Sequence, residues 1–208
     1  MEFGKVMAFG KGAQHAECVS RKLPGGMDWF FSEQLPSGAI GPGTSAVFIL
    51  DEMMAAAFPF TLLDKDILVF IHDVNQTLEA YPAGLSLVRM NAWPGFFGGP
   101  LLELSARDDI RPKADAFLDT LGWDRSWVPD IPGMIRPRVL SMIINEACFA
   151  LGESVSTRAE IDTAMKLGTN YPFGPFEWAA RIGPDRIHGL LSTLARQDSR
   201  YQPAPGMQ

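Results

Sequence analysis

Ile161-Asp-Thr-Ala-Met-Lys-Leu-Gly-Thr-Asn-Tyr-Pro-Phe-Gly-Pro-Phe-Glu-Trp178 reads as the end of one helix, a rigid turn and the start of another. Gly168 is placed to supply a left-handed stop after Leu167. Pro172 and Pro175 bracket Gly174, and Pro175 suits a first helical position, where its missing N–H costs nothing. On spacing alone this is a helix–turn–helix corner of a bundle. Its surroundings agree. From Pro132 onward Val139, Leu140, Ile143, Ile144, Ala147, Cys148 and Leu151 recur at helix spacing. Thr157-Arg-Ala-Glu160 is a capping box that opens the next helix. Pro184 opens a last helix whose inward face is Ile187, Leu190, Leu191 and Leu194. The tail Gln202–Gln208 carries two prolines and a glycine and is expected to be disordered.

Upstream of Pro132 the pattern changes. Lys5–Phe9 is a short apolar run ending in Gly10 and reads as a buried first strand. Gly10-Lys-Gly12-Ala-Gln-His15 follows, a G-x-G-x-x-H one residue short of the dinucleotide fingerprint. There the first glycine makes the tight turn, the second admits pyrophosphate and the third lets helix and strand pack closely. A helix-length stretch, Ala13–Leu23, comes next. Met27–Ser32 is a second strand, closed by Glu33 about 20 residues past the glycines, where a ribose-binding acid belongs. Gln34–Thr44 is a turn-rich connector. Ser45–Asp51, Asp66–Ile71, Leu85–Met90 and Leu101–Leu104 are further strands, with helical stretches at Met53–Leu63 and Ile110–Leu121. Asp124–Asp130 is a last strand or a linker. Strands alternating with helices argue a parallel α/β sheet.

The chain has 208 residues and a net charge of -6, from 18 Lys and Arg against 24 Asp and Glu. That balance disfavours nucleic acid and anionic membrane as partners. Two cysteines, Cys18 and Cys148, form neither a disulfide framework nor a metal-ligand pattern, and buried free thiols are the default reading. The apolar runs are strand-sized, too short to span a bilayer. Without a signal-peptide build at the N-terminus, a cytoplasmic location is expected.

Asp162–Glu177, D-T-A-M-K-L-G-x-x-Y-P-x-G-P-F-E, resembles the signature of the C-terminal domain of 3-hydroxyacyl-CoA dehydrogenases. The resemblance runs through Asp130–Leu194, continues over Asn91–Trp127 and stays in register over Lys5–Glu33. It implies an NAD-binding-type Rossmann-like domain, here shortened to residues 1–129. It also implies an all-helical domain, residues 130–208, that mediates homodimerisation. The long helical insertion between the family's second and third strands is missing, and Gln34–Thr44 stands in its place. The implied chemistry is oxidation of a 3-hydroxyacyl-CoA by NAD. A histidine takes the hydroxyl proton and a glutamate orients it.

The family's H-F-F-N-P is followed by a strand ending L-V-E. Leu101-Leu-Glu103 matches the latter, which puts Asn91 at the histidine position. An amide cannot act as the base. The family's asparagine in the same motif falls on Pro94, its second substrate-side asparagine on Pro137, and its serine near Gln76. The resemblance therefore implies a dehydrogenase-like protein that has lost efficient oxidation but can still bind acyl-CoA or nucleotide. Two alternatives stand beside it. One is an active NAD-dependent oxidoreductase with a replacement base. The other is a non-catalytic dimerisation or interaction module.

The residues to follow are these. Glu103 is a relic, an exposed strand-end carboxylate or a recruited base. Asn91 is a hydrogen-bond partner for Glu103 or a structural amide. His72, with Asp73 to orient it, is the candidate replacement base, and a loop histidine otherwise. Gly10, Gly12 and Glu33 are the candidate NAD contacts. His15 either touches a phosphate at the helix start or fills the third glycine's space. Trp93 is a candidate pocket wall. No metal site is expected.

Overall fold

The computed structural model describes residues 4–41 and 43–207, and the chain divides between Ile131 and Pro132 into two compact units. Among the described residues the first unit holds a seven-stranded sheet in the order β2-β1-β3-β4-β5-β6-β7. Its strands are β1 (Lys5–Phe9), β2 (Trp29–Ser32), β3 (Thr44–Ile49), β4 (Leu68–His72), β5 (Ser86–Met90), β6 (Leu101–Ala106) and β7 (Asp124–Trp127). Every pairing is parallel except β5 with β6. The expected parallel sheet is found, with one antiparallel pair in it. The chain between β5 and β6 is a Gly/Pro-rich turn rather than a helix, and so short a link joins only antiparallel strands.

The central strands are buried on both faces, so β3 and β4 read as continuous apolar runs. Val6, Ala8, Phe48, Phe70, Met90 and Leu104 face one core cluster. Phe9, Val47, Ile49, Val69, Ile71 and Leu87 face the other. Phe48 and Phe70 stack with ring centroids 4.5 Å apart. The helices of this unit are α1 (Gly12–Ser20), α2 (Glu52–Ala57) and α3 (Arg111–Leu121). Pro59 breaks the helical stretch after α2, as its missing N–H requires, and a single 3-10 turn follows at Phe60–Leu62.

The usual doubly wound order puts a third strand outside the second. Here β2 is the edge, and the chain crosses from β2 directly to β3 on the far side of β1. β1 and β3 therefore flank the topological switch point, outside whose carboxyl ends such sheets bind ligands.

The second unit contains α4 (Arg136–Gly152), α5 (Arg158–Thr169), α6 (Pro175–Ile182) and α7 (Pro184–Ala195). Thr157 and Glu160 form the expected reciprocal capping box. Pro137 lies in the first turn of α4, where a proline is tolerated. Of the expected stripe on α4, Leu140, Ile144 and Ala147 are buried while Val139 is 51% exposed.

Two expectations are corrected here. α5 runs through Gly168, and the left-handed residue is Asn170 at φ 56°. Tyr171 precedes Pro172 and is thereby biased away from helix, which sets the break at Asn170. The described part of the tail is packed, with Tyr201, Ala204 and Met207 buried. Asn145 on α4 holds it, donating from Nδ2 to Gln202 O at 3.0 Å and accepting from Ala204 N–H at 2.8 Å.

The signature stretch has a steric core. Asp162 is buried, and its Oδ1 accepts from Phe176 N–H at 2.8 Å, capping α6 from the preceding helix. Gly174 passes so close that a Cβ there would stand 2.2 Å from Asp162 Oδ1 and 2.4 Å from Asp162 Cβ. Glu177 closes the turn by accepting from Gly174 N–H at 2.9 Å and from Lys166 Nζ at 2.6 Å. These bonds hold its carboxyl below the usual range.

Candidate active site

Two places on the carboxyl edge of the sheet carry the candidate residues. The first is the switch point. β1 ends at Phe9, Gly10 keeps a ladder bond to Ser32 O, and α1 begins at Gly12. Gly12 is open: a Cβ there would meet only Glu33 Oε1, at 3.4 Å. Glu33 is exposed just past β2. The glycine turn and the acid that the sequence pairs are thus neighbours.

His15 does not fill the turn. It is exposed and stacks on Phe31 of β2, with ring centroids 4.6 Å apart. The residue that enters the turn is Gln14, 7% exposed. Its Oε1 accepts from Lys11 N–H at 2.7 Å, and its Nε2 donates to Leu50 O at the end of β3.

The second place is the exit of β5. Asn91, His72, Glu103 and Trp93 are all buried. Glu103 lies inside β6, not at an exposed strand end. Asn91 sits opposite it, but their printed contact is backbone, Asn91 N–H to Glu103 O at 3.2 Å. The Asn91 side chain turns to its own chain and accepts from Trp93 N–H at 3.1 Å, while its Nδ2 is buried without a hydrogen-bond partner. The side-chain bond expected between Asn91 and Glu103 is therefore replaced by a turn of the amide onto Trp93. Trp93 is fully buried and packs as core, so the expected pocket wall is absent there.

His72 is the last residue of β4. Its Nδ1 accepts from Ala92 N–H at 3.0 Å. A backbone N–H can only donate, so Nδ1 is the acceptor in that bond, and Met90 O lies 3.3 Å from the same nitrogen. The other ring nitrogen, Nε2, faces Glu52 Oε1 on α2 at 3.6 Å. Asp73, the expected orienting acid, does something else. Its Oδ1 caps the next turn by accepting from Asn75 and Gln76 N–H, and its Oδ2 accepts from Tyr81 OH. Burial and this bond push the Tyr81 phenol above its usual range.

Consecutive N–H groups of Asn91, Ala92 and Trp93 are thus all held, by Glu103 O, His72 Nδ1 and Asn91 Oδ1. The turn beyond is held as firmly from α1. Glu17 Oε1 accepts from Gly95 N–H at 2.9 Å and Oε2 from Gly98 N–H at 2.7 Å. Arg21, one helical turn on, donates to Phe97 O and Gly99 O and lies over the Trp123 ring at 4.5 Å. Burial lowers the Arg21 pKa. Sequence reading passed over this pair. Its signal was a Glu and an Arg four apart on the helix after the glycine turn, facing a turn rich in glycine N–H groups.

Arg89 was missed as well. Fully buried on β5, it donates to Asp130 Oδ1 at 2.8 Å, Asp73 O at 3.1 Å and Ile131 O at 2.8 Å. It ties the last residues of the first unit to the sheet.

Comparison with known proteins places the chain. Residues 133–208 match the family described as 3-hydroxyacyl-CoA dehydrogenase, C-terminal domain. By this domain, residues 133–208 are similar to 3-hydroxyacyl-CoA dehydrogenases. The 3-hydroxyadipyl-CoA dehydrogenase of Escherichia coli K12 is 43% identical over 98 residues, 46% of this chain and 21% of that one. The 3-hydroxybutyryl-CoA dehydrogenase of Bradyrhizobium diazoefficiens is 38% identical over 115 residues, 51% of this chain and 39% of that one. The chain thus spans about a fifth to two fifths of these relatives. A crystal structure of (S)-3-hydroxybutyryl-CoA dehydrogenase from Ralstonia eutropha superposes with a TM-score of 0.73, covering 99% of this chain and 92% of that one. At 21% identity it is a likeness of fold.

The first unit has a Rossmann-like fold with a mostly parallel sheet. Among the described residues there is no cluster of three His, Cys, Asp or Glu able to hold a metal ion, and no helix long and apolar enough to cross a membrane. Cys18 is buried as expected and its thiol is pushed up to about 12, chiefly by burial and then by Glu17; Cys148 is only half-buried.

Proposed function

We propose that this 3-hydroxyacyl-CoA dehydrogenase-like protein binds a nucleotide or an acyl-CoA but does not carry out efficient hydride transfer. One observation carries the reading: of the residues weighed as the base, the side chains of Asn91 and His72 are engaged in building the Asn91–Trp93 turn, and Glu103 is buried inside β6. His72 Nδ1 already accepts a hydrogen bond from Ala92 N–H, so its lone pair is turned to the backbone. The Asn91 amide has no basic lone pair at neutral pH, and its oxygen is taken by Trp93 N–H. A general base must reach the substrate hydroxyl with a free acceptor.

The switch-point residues fit NAD. Gly12 leaves room for a phosphate to approach the backbone, and the N–H groups of Gly12 and Ala13 open α1 without intrahelical acceptors. Glu33 stands where a ribose hydroxyl would be met. NAD, when bound, supplies a hydride acceptor. The chain's own part is to seat the diphosphate at Gly12 and the adjoining ribose at Glu33.

The helical unit supports homodimerisation. A hollow of about 290 Å³ on its surface is lined by Ile143, Ala147, Ala150, Ile161, Met165 and Pro175, and Val139 and Leu167 stand exposed nearby in sequence, at 51% and 83%.

The test is Asn91→His, assayed for NADH oxidation with acetoacetyl-CoA. A gain of about 10²-fold or more over the unaltered chain is expected if a missing base is the defect, because general acid–base catalysis contributes about that much. No gain in a folded variant that still binds NADH would show that the pocket, not the base, is lost.

A further inference from the structure

The crevice between the carboxyl ends of β1 and β3 is crossed by one side chain. Gln14 reaches from the first turn of α1 to both lips. On one side its Oε1 takes Lys11 N–H, the amide between the two fingerprint glycines, at 2.7 Å. On the other its Nε2 donates to Leu50 O, the first carbonyl after β3. The carboxamide lies over Gly10, where a Cβ would stand 2.6 Å from Oε1. At 7% exposure and with both polar atoms paired, it is a closed contact and not a side chain waiting in solvent.

We infer that the Gln14 carboxamide is an internal ligand of the switch-point crevice, which a nucleotide diphosphate must displace from Lys11 N–H and Leu50 O to seat fully. This rests on the nucleotide reading above and adds an autoinhibitory contact to it. The chemistry is matched. Oε1 is an acceptor on a helix-start N–H, the place a phosphate oxygen takes. The bond to Leu50 O draws β3 and the start of α1 together across the gap a diphosphate spans. Gly12 and Ala13 N–H are left for the first phosphate contact, so the nucleotide approaches weakly and competes for the rest. His15 and Glu33 stand outside this exchange, on the β2 side.

Gln14→Met keeps an unbranched, helix-compatible side chain and removes both bonds. NADH is titrated into the unaltered chain and the variant, with cofactor fluorescence as readout and ADP as competitor. The variant is expected to bind about tenfold more tightly, the equivalent of two net hydrogen bonds not broken on binding. Equal or weaker binding by the variant, with the unaltered chain binding, overturns the inference and leaves the nucleotide reading standing. Binding by neither overturns both. Should the variant fail to fold, the unaltered chain decides. On ADP addition the Gln14 side-chain NH₂ signals must shift in a ¹⁵N spectrum, and unmoved signals alongside a shifting Gly12 amide overturn the inference.

Discussion

Gly174→Ala is a small change with a large expected cost. The added methyl would lie 2.2 Å from Asp162 Oδ1 and 2.4 Å from its Cβ and Cγ. The glycine's backbone is at an ordinary φ of -72°, so the penalty is one of space rather than of dihedral. Asp162 is buried between α5 and α6, and moving it breaks its bond to Phe176 N–H, the cap of α6. Overpacking of this kind costs ~1–3 kcal/mol, and losing a hydrogen bond to a charged group costs ~1.5–3 kcal/mol. The sum, ~2.5–6 kcal/mol, is measurable by urea unfolding followed through the helical signal at 222 nm. The mechanism has its own check. In an Asp162→Gly background there is no side chain to strike and no bond to lose, so Gly174→Ala should then cost less than ~1 kcal/mol. A shift of less than ~0.5 kcal/mol in the natural background, or the same cost in both, would refute the steric account.

Arg89→Met should destabilise the first unit by ~3–5 kcal/mol, because it strands Asp130 and two carbonyls that the guanidinium now satisfies. Arg89→Lys should recover little of that, as an ammonium cannot make three bonds in the geometry of a planar fork; urea midpoints for the three proteins decide it. Cys18 makes stability fall in alkali. Its thiol is raised in the folded state to about 12 from an ordinary 9.0, so the folded chain holds the proton more tightly. The contribution is complete below pH 9.0 and fades as pH rises toward about 12. Cys18→Ala should flatten that alkaline limb in unfolding midpoints taken across the range, and an unchanged slope would count against it.

The sequence made much of this readable because its signals were local. The β1–Gly10–Gly12–α1 unit, the Thr157 capping box and the proline starts of α6 and α7 rest on residues within four positions of one another. The signature at Asp162–Glu177 is a close approach written in sequence: a glycine is needed where the chain passes over a buried aspartate. Misreadings arose where a partner lay far along the chain. The tail looked disordered from its prolines, yet Asn145, itself just one polar residue in an apolar stripe, grips it from more than fifty residues away. His72 seemed poised because it follows a buried strand. The Ala92 N–H that occupies it comes from the next strand's exit. Gln14, hidden at an unspecified position of a glycine motif, showed no sign of crossing to Leu50. Between Gly168 and Asn170 either residue type can adopt a left-handed turn, and only Pro172 two places on favoured the second.

The proposed function has the chain keep a dehydrogenase-like fold without the proton acceptor. The most direct measurement is turnover by the unaltered chain: NADH is added, binding is followed by its fluorescence, and acetoacetyl-CoA is then supplied. The account predicts a binding signal that stays flat after the thioester is added. A signal that decays at the rate of NADH consumption would contradict it, and would mean that a base operates in this crevice despite the engagement of Asn91 and His72.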